Sequence, residues 1–402
     1  MKDIKFYRYD GTRNFNIKKF DTSSTGEFDG REEAVDEFVD NLIYINKAQQ
    51  KLYAERKEGV IFIFQAMDAA GKDGVIRTVF STLSPHGVKE YCFKVPSSEE
   101  KAHDFLWRFW NALPQKGCIS IFNRSYYEDV LVGKVHEYYK NDIVPDRMKN
   151  LDIIKERYSQ INNYEKYLFN TGTRIVKIFL NLSKDEQARR FISRIDTPRK
   201  NWKVSPGDIK EREYWDQYMD AFEKMVNSTS TEDSPWYVVP ADHKWFARLL
   251  VSRIVRKTLE DIDPHYPPVD EEALKSLQDY KQKLIASMHS KDLDVEKQLT
   301  EFANPGLISA DILQQDELKK VEESEKCIKD NGFKAITKLL GKSYIVHSMD
   351  DIMQAIADSE DEAKDSKPEE EEETISLTPQ EVREHIKEII EEDDEPLGEE
   401  DK

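Results

Sequence analysis

Residues 60–74 read VIFIFQAMDAAGKDG, five consecutive apolar side chains followed by a turn that holds a glycine and then a lysine. Five residues are too few for a helix with a buried face. A strand is what remains, and a strand that is apolar at every position is buried on both sides, as happens in parallel sheets covered by helices above and below. This run therefore points to an α/β fold. The turn after it approaches the phosphate-loop pattern G-x-x-x-x-G-K-[ST], with two departures. Ala66 stands where the first glycine is written, and Asp73 stands where a metal-holding hydroxyl is written.

An apolar strand, a tight turn and a helix aim backbone N–H groups and the positive helix end at one point, which suits a phosphate. The candidates here are the backbone groups of Ala69, Ala70, Gly71, Asp73 and Gly74, with the Lys72 ammonium bridging phosphoryl oxygens. Ala66 fits the first turn position if its φ stays negative. Asp73 is repelled by a polyphosphate unless a cation intervenes or its side chain faces away. Asp68, inside the turn, is the better candidate to hold Mg²⁺, which binds through one or two carboxylates and keeps several waters. An ordinary strand-to-helix turn with an incidental Gly-Lys pair is the alternative reading of this segment.

The rest of the body alternates as a parallel sheet with crossover helices demands. Val35, Phe38, Leu42, Ile45 and Leu52 predict a helix over 31–57, ended by Gly59. A helix from the turn to about Leu83, the breaker SPHG, and strands around YCFKV, CISIF, RIVKIFL and WYVV follow. Ser97 and Glu100 form a capping box. The expectation is a three-layer sandwich around a parallel five-stranded sheet. No run approaches the roughly 20 apolar residues a membrane span requires, and the start lacks the apolar stretch of a signal peptide. Cys92, Cys118 and Cys327 match neither a metal spacing nor a disulfide framework. A reduced cytoplasmic setting is the expectation, with no membrane and no nucleic-acid partner.

The chain's net charge of −19 is unevenly spread. Residues 271–402 carry 37 acidic and 17 basic side chains, whereas residues 1–270 carry 42 and 43. A near-neutral body can still concentrate Lys and Arg in a cleft, so an anionic substrate is compatible with this composition. A second constellation supports one. In CISIFNRSYYEDVLVGKVHE, polar residues begin just past the end of a strand, where open α/β sheets collect ligands. Asn123 takes the place of a Walker-B aspartate and can coordinate a metal or hydrogen-bond. Arg124 offers a planar fork for phosphate oxygens. Glu128 and Asp129 follow, either as helix N-terminal carboxylates or as metal or nucleotide contacts.

QAMDAAGKDGVI, FKVPSSEE, HDFLWR, IFNRSYYEDVLV, KNWKVSPGDIKERE and PWYVVPADHKWFARL together resemble the successive signatures of the type 2 polyphosphate kinase family, in order, from about residue 30 to 262. The resemblance implies a P-loop kinase-like fold with a helical lid at about 184–228, within a kinase domain of 59–265 preceded by an N-terminal segment of 1–58. It implies transfer of phosphoryl groups between inorganic polyphosphate and adenine or guanine nucleotides, with Mg²⁺ as cofactor, Mn²⁺ as its substitute, and assembly as a homo-oligomer. By the same resemblance Asp68 and Lys72 are essential, Ala66 and Asp73 fall within the family's usual pattern, and relatives carry aspartate where Asn123 stands. The reading of the residues adds Asn123 and Arg124 as catalytic candidates, with Asp68 and Asn123 as the candidates to hold the metal. FNRSYYED resembles the subgroup that accepts nucleoside monophosphates as well as diphosphates.

The chain shows no convincing nucleophile or general base, and His86, His103, His136 and His243 lack partners in sequence. Cations are plentiful. Arg190 and Arg194 lie four apart on a helix capped by Ser183, followed by Arg199, Lys200 and Lys203 in a loop broken by Pro198, Pro206 and Gly207. They are expected on a lid that closes over phosphates, against the alternative of a solvated charged surface. Lys94, Arg108 and Lys116 are expected to line a track for the polymer. Residues 266–358 read as a helical extension. Residues 359–402 read as an acidic tail with a short amphipathic helix at 379–391 that suits a protein partner, against the alternative of a solubilising tail. Two rivals stay open: an ATP-dependent P-loop kinase with another acceptor, and an inactive polyphosphate-binding scaffold.

Overall fold

The structure, a computed structural model, describes residues 4–141 and 145–287. In chain order its main elements are β1 (Arg8–Tyr9), α1 (Glu32–Glu55), β2 (Gly59–Ala66), α2 (Lys72–Val79), β3 (Val88–Cys92), β4 (Ile119–Asn123) and α3 (Ile153–Asn170). They continue with β5 (Thr173–Asn181), α4 (Lys184–Asp196), α5 (Pro206–Glu211), α6 (Trp215–Thr229), β6 (Trp236–Pro240), α7 (Lys244–Ile262) and α8 (Glu271–Ser287).

The strand order is β1-β6-β5-β2-β4-β3. The five expected strands are all parallel, with β2 in the middle between β5 and β4. To these the structure adds β1, a two-residue antiparallel edge strand on β6 that is too short to leave a period in the sequence. Alternate residues of the central strands feed two cores. Phe62, Phe64, Ile178 and Val239 pack with α1, α2 and α7, while Ile61, Ile63, Phe179 and Val238 pack with α3 and α6. This is the three-layer arrangement that an all-apolar strand requires.

Boundaries shift where local geometry overrides pattern. Helix α1 stops at Glu55 because Arg56 takes a left-handed conformation, φ 57°, and its N–H caps the Leu52 carbonyl. Gly59 opens β2 instead of closing the helix. The edge strand expected around YCFKV starts earlier, at Val88, because its register against β4 pairs Val88 with Ile119 and ends at Cys92 opposite Asn123. The capping box is present: Ser97 accepts from the Glu100 N–H and Glu100 accepts from the Ser97 N–H.

One feature of the core bears on the site. Lys177, in the middle of β5, is wholly buried and donates to Glu165 Oε2 on α3 at 2.7 Å and to the Thr229 carbonyl at 2.6 Å. Glu165 Oε1 accepts from the hydroxyls of Tyr126 (2.8 Å) and Tyr127 (2.7 Å). The tyrosines lie two and three residues beyond Arg124, so this buried knot fixes the chain that leaves β4.

The helical extension expected over 266–358 begins with α8, whose Leu277, Tyr280 and Leu284 are exposed. The rest of that extension, the acidic tail and the helix at 379–391 lie outside the described residues. No helix among the described residues is long and apolar enough to cross a membrane.

Candidate active site

The turn after β2 meets the conditions its sequence set. Ala66 is the last strand residue and keeps a negative φ, so the missing glycine costs nothing there. The left-handed positions fall later, at Ala69 (φ 65°) and at Gly71 (φ 98°), the residue that caps α2. Gly71 is required for its φ, since a side chain there would meet only ordinary contacts.

The shape of the turn is held from behind by α4. Gln187 Nε2 donates to the Asp68 carbonyl at 2.8 Å, and Arg190 Nη1 donates to the carbonyls of Ala69 (3.2 Å) and Ala70 (2.8 Å). Peptide groups are planar and trans, so three carbonyls drawn to one side turn the following N–H groups to the other. One of these, that of Ala70, closes a turn on the Met67 carbonyl at 3.3 Å. Those of Ala69 and Gly71 are left as loop donors for an anion.

This arrangement revises the expectation for Arg190. It is not a lid cation reaching for phosphate. It is buried beneath the loop, where its guanidinium also meets Glu186 and the carbonyls of Ala241 and Asp242. Arg194, four residues on, lies outside that knot, with its guanidinium over the Phe191 ring.

On the open side of the loop, four predicted residues converge. Arg124 leaves β4 in a left-handed conformation, φ 65°, and its N–H bonds the Phe64 carbonyl of β2, which swings its side chain toward the loop. Its Nη2 donates to Asp68 Oδ1 at 2.6 Å, and its Nη1 is 3.6 Å from Glu128 Oε2. A non-glycine residue held in this conformation stores about 1–2 kcal/mol of strain, the kind that clusters at functional sites. Lys72 is buried, with its ammonium folded back on the carbonyls of Ala66 (3.1 Å) and Met67 (3.5 Å). Burial, then the Arg124 charge, push its pKa down, while Asp68 and Glu128 oppose. Burial pushes the Glu128 carboxyl up, against Arg124 and Lys72. Burial thus disfavours the charged forms of Lys72 and Glu128 alike, and an incoming phosphate would add a partner for the Lys72 ammonium.

Asn123 and Asp73 stand together. The Asn123 amide nitrogen donates to Asp73 Oδ1 (2.9 Å) and Glu90 Oε1 (3.1 Å). Asp73 is thereby bound to β4 and does not compete with phosphate, which accounts for a carboxylate at that position of the loop. The same bonds tie the Asn123 nitrogen to these carboxylates, while Asp68 is held by Arg124. Among the described residues the only hydrogen bond to the Asp68 carboxylate comes from Arg124, and no three acidic, His or Cys side chains form a metal cluster. A lone carboxylate of this kind would suit Mg²⁺, which binds through one or two carboxylates and keeps several waters.

The expected polymer track is only partly assembled. Lys94 is exposed, but Arg108 is engaged by Glu100 (3.1 Å) and by the Lys94 carbonyl (3.0 Å). Lys116 precedes β4 and its ammonium lies near Gly172, which precedes β5. In a parallel sheet those are the amino ends, opposite the loop, so Lys116 does not belong to the site. Lys200 and Lys203 sit on a 3₁₀ turn, Pro198–Lys203, between α4 and α5, with Lys203 over the exposed Trp202.

Several site residues left no signal in the sequence. The cleft that Asp68, Arg124 and Glu128 line is also lined by Glu211, Tyr218 and Phe222. Glu211 accepts from Tyr218 Oη (2.7 Å) and bonds His136 Nε2 (2.9 Å). Burial, then Glu211, push the Tyr218 hydroxyl far above its ordinary value, so it stays a donor. Asp208 on α5 is pushed up by burial and then by Asp68, which places a lid carboxylate within the field of the loop.

Similarity to known proteins agrees with this geometry. A protein from Rhodopseudomonas palustris named ADP-polyphosphate phosphotransferase is 50% identical over 243 residues, covering 60% of this chain and 84% of its own. An AMP/ADP-polyphosphate phosphotransferase from Meiothermus ruber is 43% identical over 268 residues, covering 66% and 96%. The crystal structure of polyphosphate kinase 2 from Arthrobacter aurescens TC1 superposes with a TM-score of 0.62 at 38% identity, covering 68% of this chain and 95% of that one. The family model described as polyphosphate kinase 2 matches residues 29–267, which span the sheet from β2 to β6, the loop after β2 and α4 to α6. A match of that extent, over elements that build one anion-seeking cleft, makes the chain a member of the polyphosphate kinase 2 family.

Proposed function

We infer that this chain is a polyphosphate-dependent nucleotide kinase that transfers phosphoryl groups between inorganic polyphosphate and nucleoside mono- or diphosphates. The acceptors are ADP, giving ATP, with AMP to ADP and guanine nucleotides as further reactions of the same site. The observation that carries this reading is the cluster at the loop mouth, where Lys72 and Arg124 stand beside the carboxylate of Asp68 and, among the described residues, no serine, threonine, cysteine or histidine lines the cleft. An acceptor phosphate has its second pKa near 6 and is largely ionised at neutral pH, so no base is needed to activate it. The site has to align two anions end to end and neutralise their charge.

Each residue then has a task. The N–H groups of Ala69 and Gly71 and the Lys72 ammonium hold the donor phosphates. Arg124, anchored on Asp68 and Glu128, turns its remaining N–H groups to the transferring group. Tyr218 and Phe222 wall off water from the cleft, which limits hydrolysis. Asp68 is the residue to hold Mg²⁺, which when bound screens the phosphoryl oxygens. Arg194, Lys200 and Lys203 complete the charge balance from the lid. A cytoplasmic setting and assembly as a homo-oligomer accompany this reading as expectations of the resemblance.

The test supplies long-chain polyphosphate, Mg²⁺ and either ADP or AMP, and follows newly phosphorylated nucleotide. Product with polyphosphate and none with ATP as donor to other acceptors supports the reading. Turnover that needs no polyphosphate points to the ATP-dependent kinase, and tight polymer binding without turnover to the scaffold. Asp68→Asn keeps an acceptor for Arg124 but removes the charge. It is expected to lower kcat about 10²-fold and to raise the Mg²⁺ concentration needed for half-maximal rate, an electrostatic loss of ordinary size. An unchanged Mg²⁺ requirement would move the metal elsewhere.

A further inference from the structure

Gln187 is 1% exposed and has a partner at each end of its amide. The nitrogen donates to the Asp68 carbonyl at 2.8 Å, and the oxygen accepts from Arg212 Nη1 at 2.6 Å. A donor end on a carbonyl and an acceptor end on a guanidinium fix the amide's orientation. Arg212 is the first residue past α5, and the same Nη1 donates to the Lys184 carbonyl at the start of α4, 3.0 Å away. Its neighbour Glu211 is gripped by His136 and Tyr218. The pair Glu211-Arg212 is therefore where the part of the lid from Pro198 to Glu211 is seated on the start of α4, on Tyr218 and on His136.

The Asp68 carbonyl belongs to the same planar group as the Ala69 N–H, one of the two loop donors that Gln187 and Arg190 leave turned away from α4. Rotating that peptide turns the N–H out of the site, and Ala69 already sits in a conformation that alanine disfavours. A cation at the oxygen of an amide polarises it and strengthens the donor at its nitrogen. With Arg212 in place Gln187 grips the loop; without it the grip weakens, although Gln187 stays where it is.

We propose that Gln187 is a positioning residue that couples the seating of the lid at Glu211-Arg212 to the orientation of the loop peptide after Asp68. Lid closure and loop geometry are then one event: the donor phosphates meet an ordered Ala69 N–H only when the lid is seated. This coupling goes beyond phosphoryl transfer itself, but its kinetic arm rests on the activity inferred above.

The test is a double-mutant cycle on the full chain. Gln187→Glu keeps an acceptor for Arg212 and loses the donor to Asp68, whereas Gln187→Met loses both. Each is expected to lower kcat about tenfold, with the acceptor KM within about threefold, because the misplaced loop donor faces the donor phosphates and not the acceptor. Arg212→Met is expected to cost about tenfold in kcat alone but less than about twofold in the Gln187→Met background, since coupled residues are not additive. The dissociation constant of tripolyphosphate, measured without nucleotide, should show the same non-additivity. That arm needs no turnover, so binding without transfer sinks the activity while additive or non-additive changes in that constant still overturn or support the coupling, and no binding by the parent chain sinks both. Wild-type kcat in Gln187→Glu, or equal losses from Arg212→Met in both backgrounds, overturns the coupling. Should Gln187→Met not fold, Gln187→Asn, too short to span both partners, takes its place in the cycle.

Discussion

Replacing Lys72 by methionine is expected to lower kcat/KM for transfer from polyphosphate by about 10³-fold or more, the upper range for losing one preorganised electrostatic contact. Lys72 is buried under the loop, and its ammonium is already desolvated and held by the Ala66 and Met67 carbonyls. A desolvated cation next to Arg124 is poorly balanced until phosphate arrives, so much of its attraction for phosphate was stored when the chain folded. Methionine matches its length without its charge and relieves that imbalance, so the thermal midpoint should hold or rise. Lys72→Arg is expected to fail almost as badly, because a planar five-donor fork does not fit where a point charge is wedged beneath two carbonyls. The lowered pKa of Lys72 also has a sign in kinetics. The ammonium is the binding form, so kcat/KM should fall as pH rises through that lowered value, earlier than an ordinary lysine would allow. Bound polyphosphate stabilises the charged form, so the fall in kcat should come at higher pH than the fall in kcat/KM. A methionine variant with more than a tenth of parental kcat/KM would remove Lys72 from the mechanism.

What made this loop readable was the agreement of neighbours in sequence. An apolar run, a turn and a Gly-Lys pair lie within fifteen residues, and their chemistry depends on local backbone geometry. The capping box at Ser97 and Glu100 was readable for the same reason. The support behind the loop was not. Gln187 and Arg190 sit on α4, about 120 residues away from their carbonyl partners, and helical spacing grouped Arg190 with Arg194 on one cationic face. Spacing gives the face but not what the face meets, and this helix leans its first half onto the loop. Lys116 misled for a related reason, since a lysine flanking a strand reads alike at either end of the sheet. Asp73 looked like a fault in the pattern until β4 brought Asn123 to it. Lys177 was hidden in RIVKIFL, where an apolar run with one lysine reads as a strand with one exposed residue.

That lysine carries the other large effect. Lys177→Met is expected to destabilise the chain by about 3–5 kcal/mol, the usual result of removing one partner from a buried ion pair. The loss comes from Glu165, left in the core beside Tyr126 and Tyr127 with its countercharge gone. Adding Glu165→Gln to Lys177→Met should recover at least half of the loss. The glutamine oxygen still accepts from both tyrosine hydroxyls on the side where Glu165 Oε1 now sits, and no charge remains to be neutralised. Glu165→Gln alone should cost nearly as much as Lys177→Met, because it strands the ammonium with only the Thr229 carbonyl and the Tyr127 hydroxyl. Urea titrations would give these differences as midpoint shifts at constant slope. Additive losses in the double variant would mean that the two charges do not depend on each other. Activity supplies a second reading of the same knot. Tyr126 and Tyr127 tether the turn that carries Arg124 in its left-handed conformation, and nothing in the knot touches the cleft-lining faces of Asp68 or Lys72. The double variant, refolded by its restored balance, should therefore keep the KM for polyphosphate that the loop sets and lose kcat in proportion to how far Arg124 relaxes.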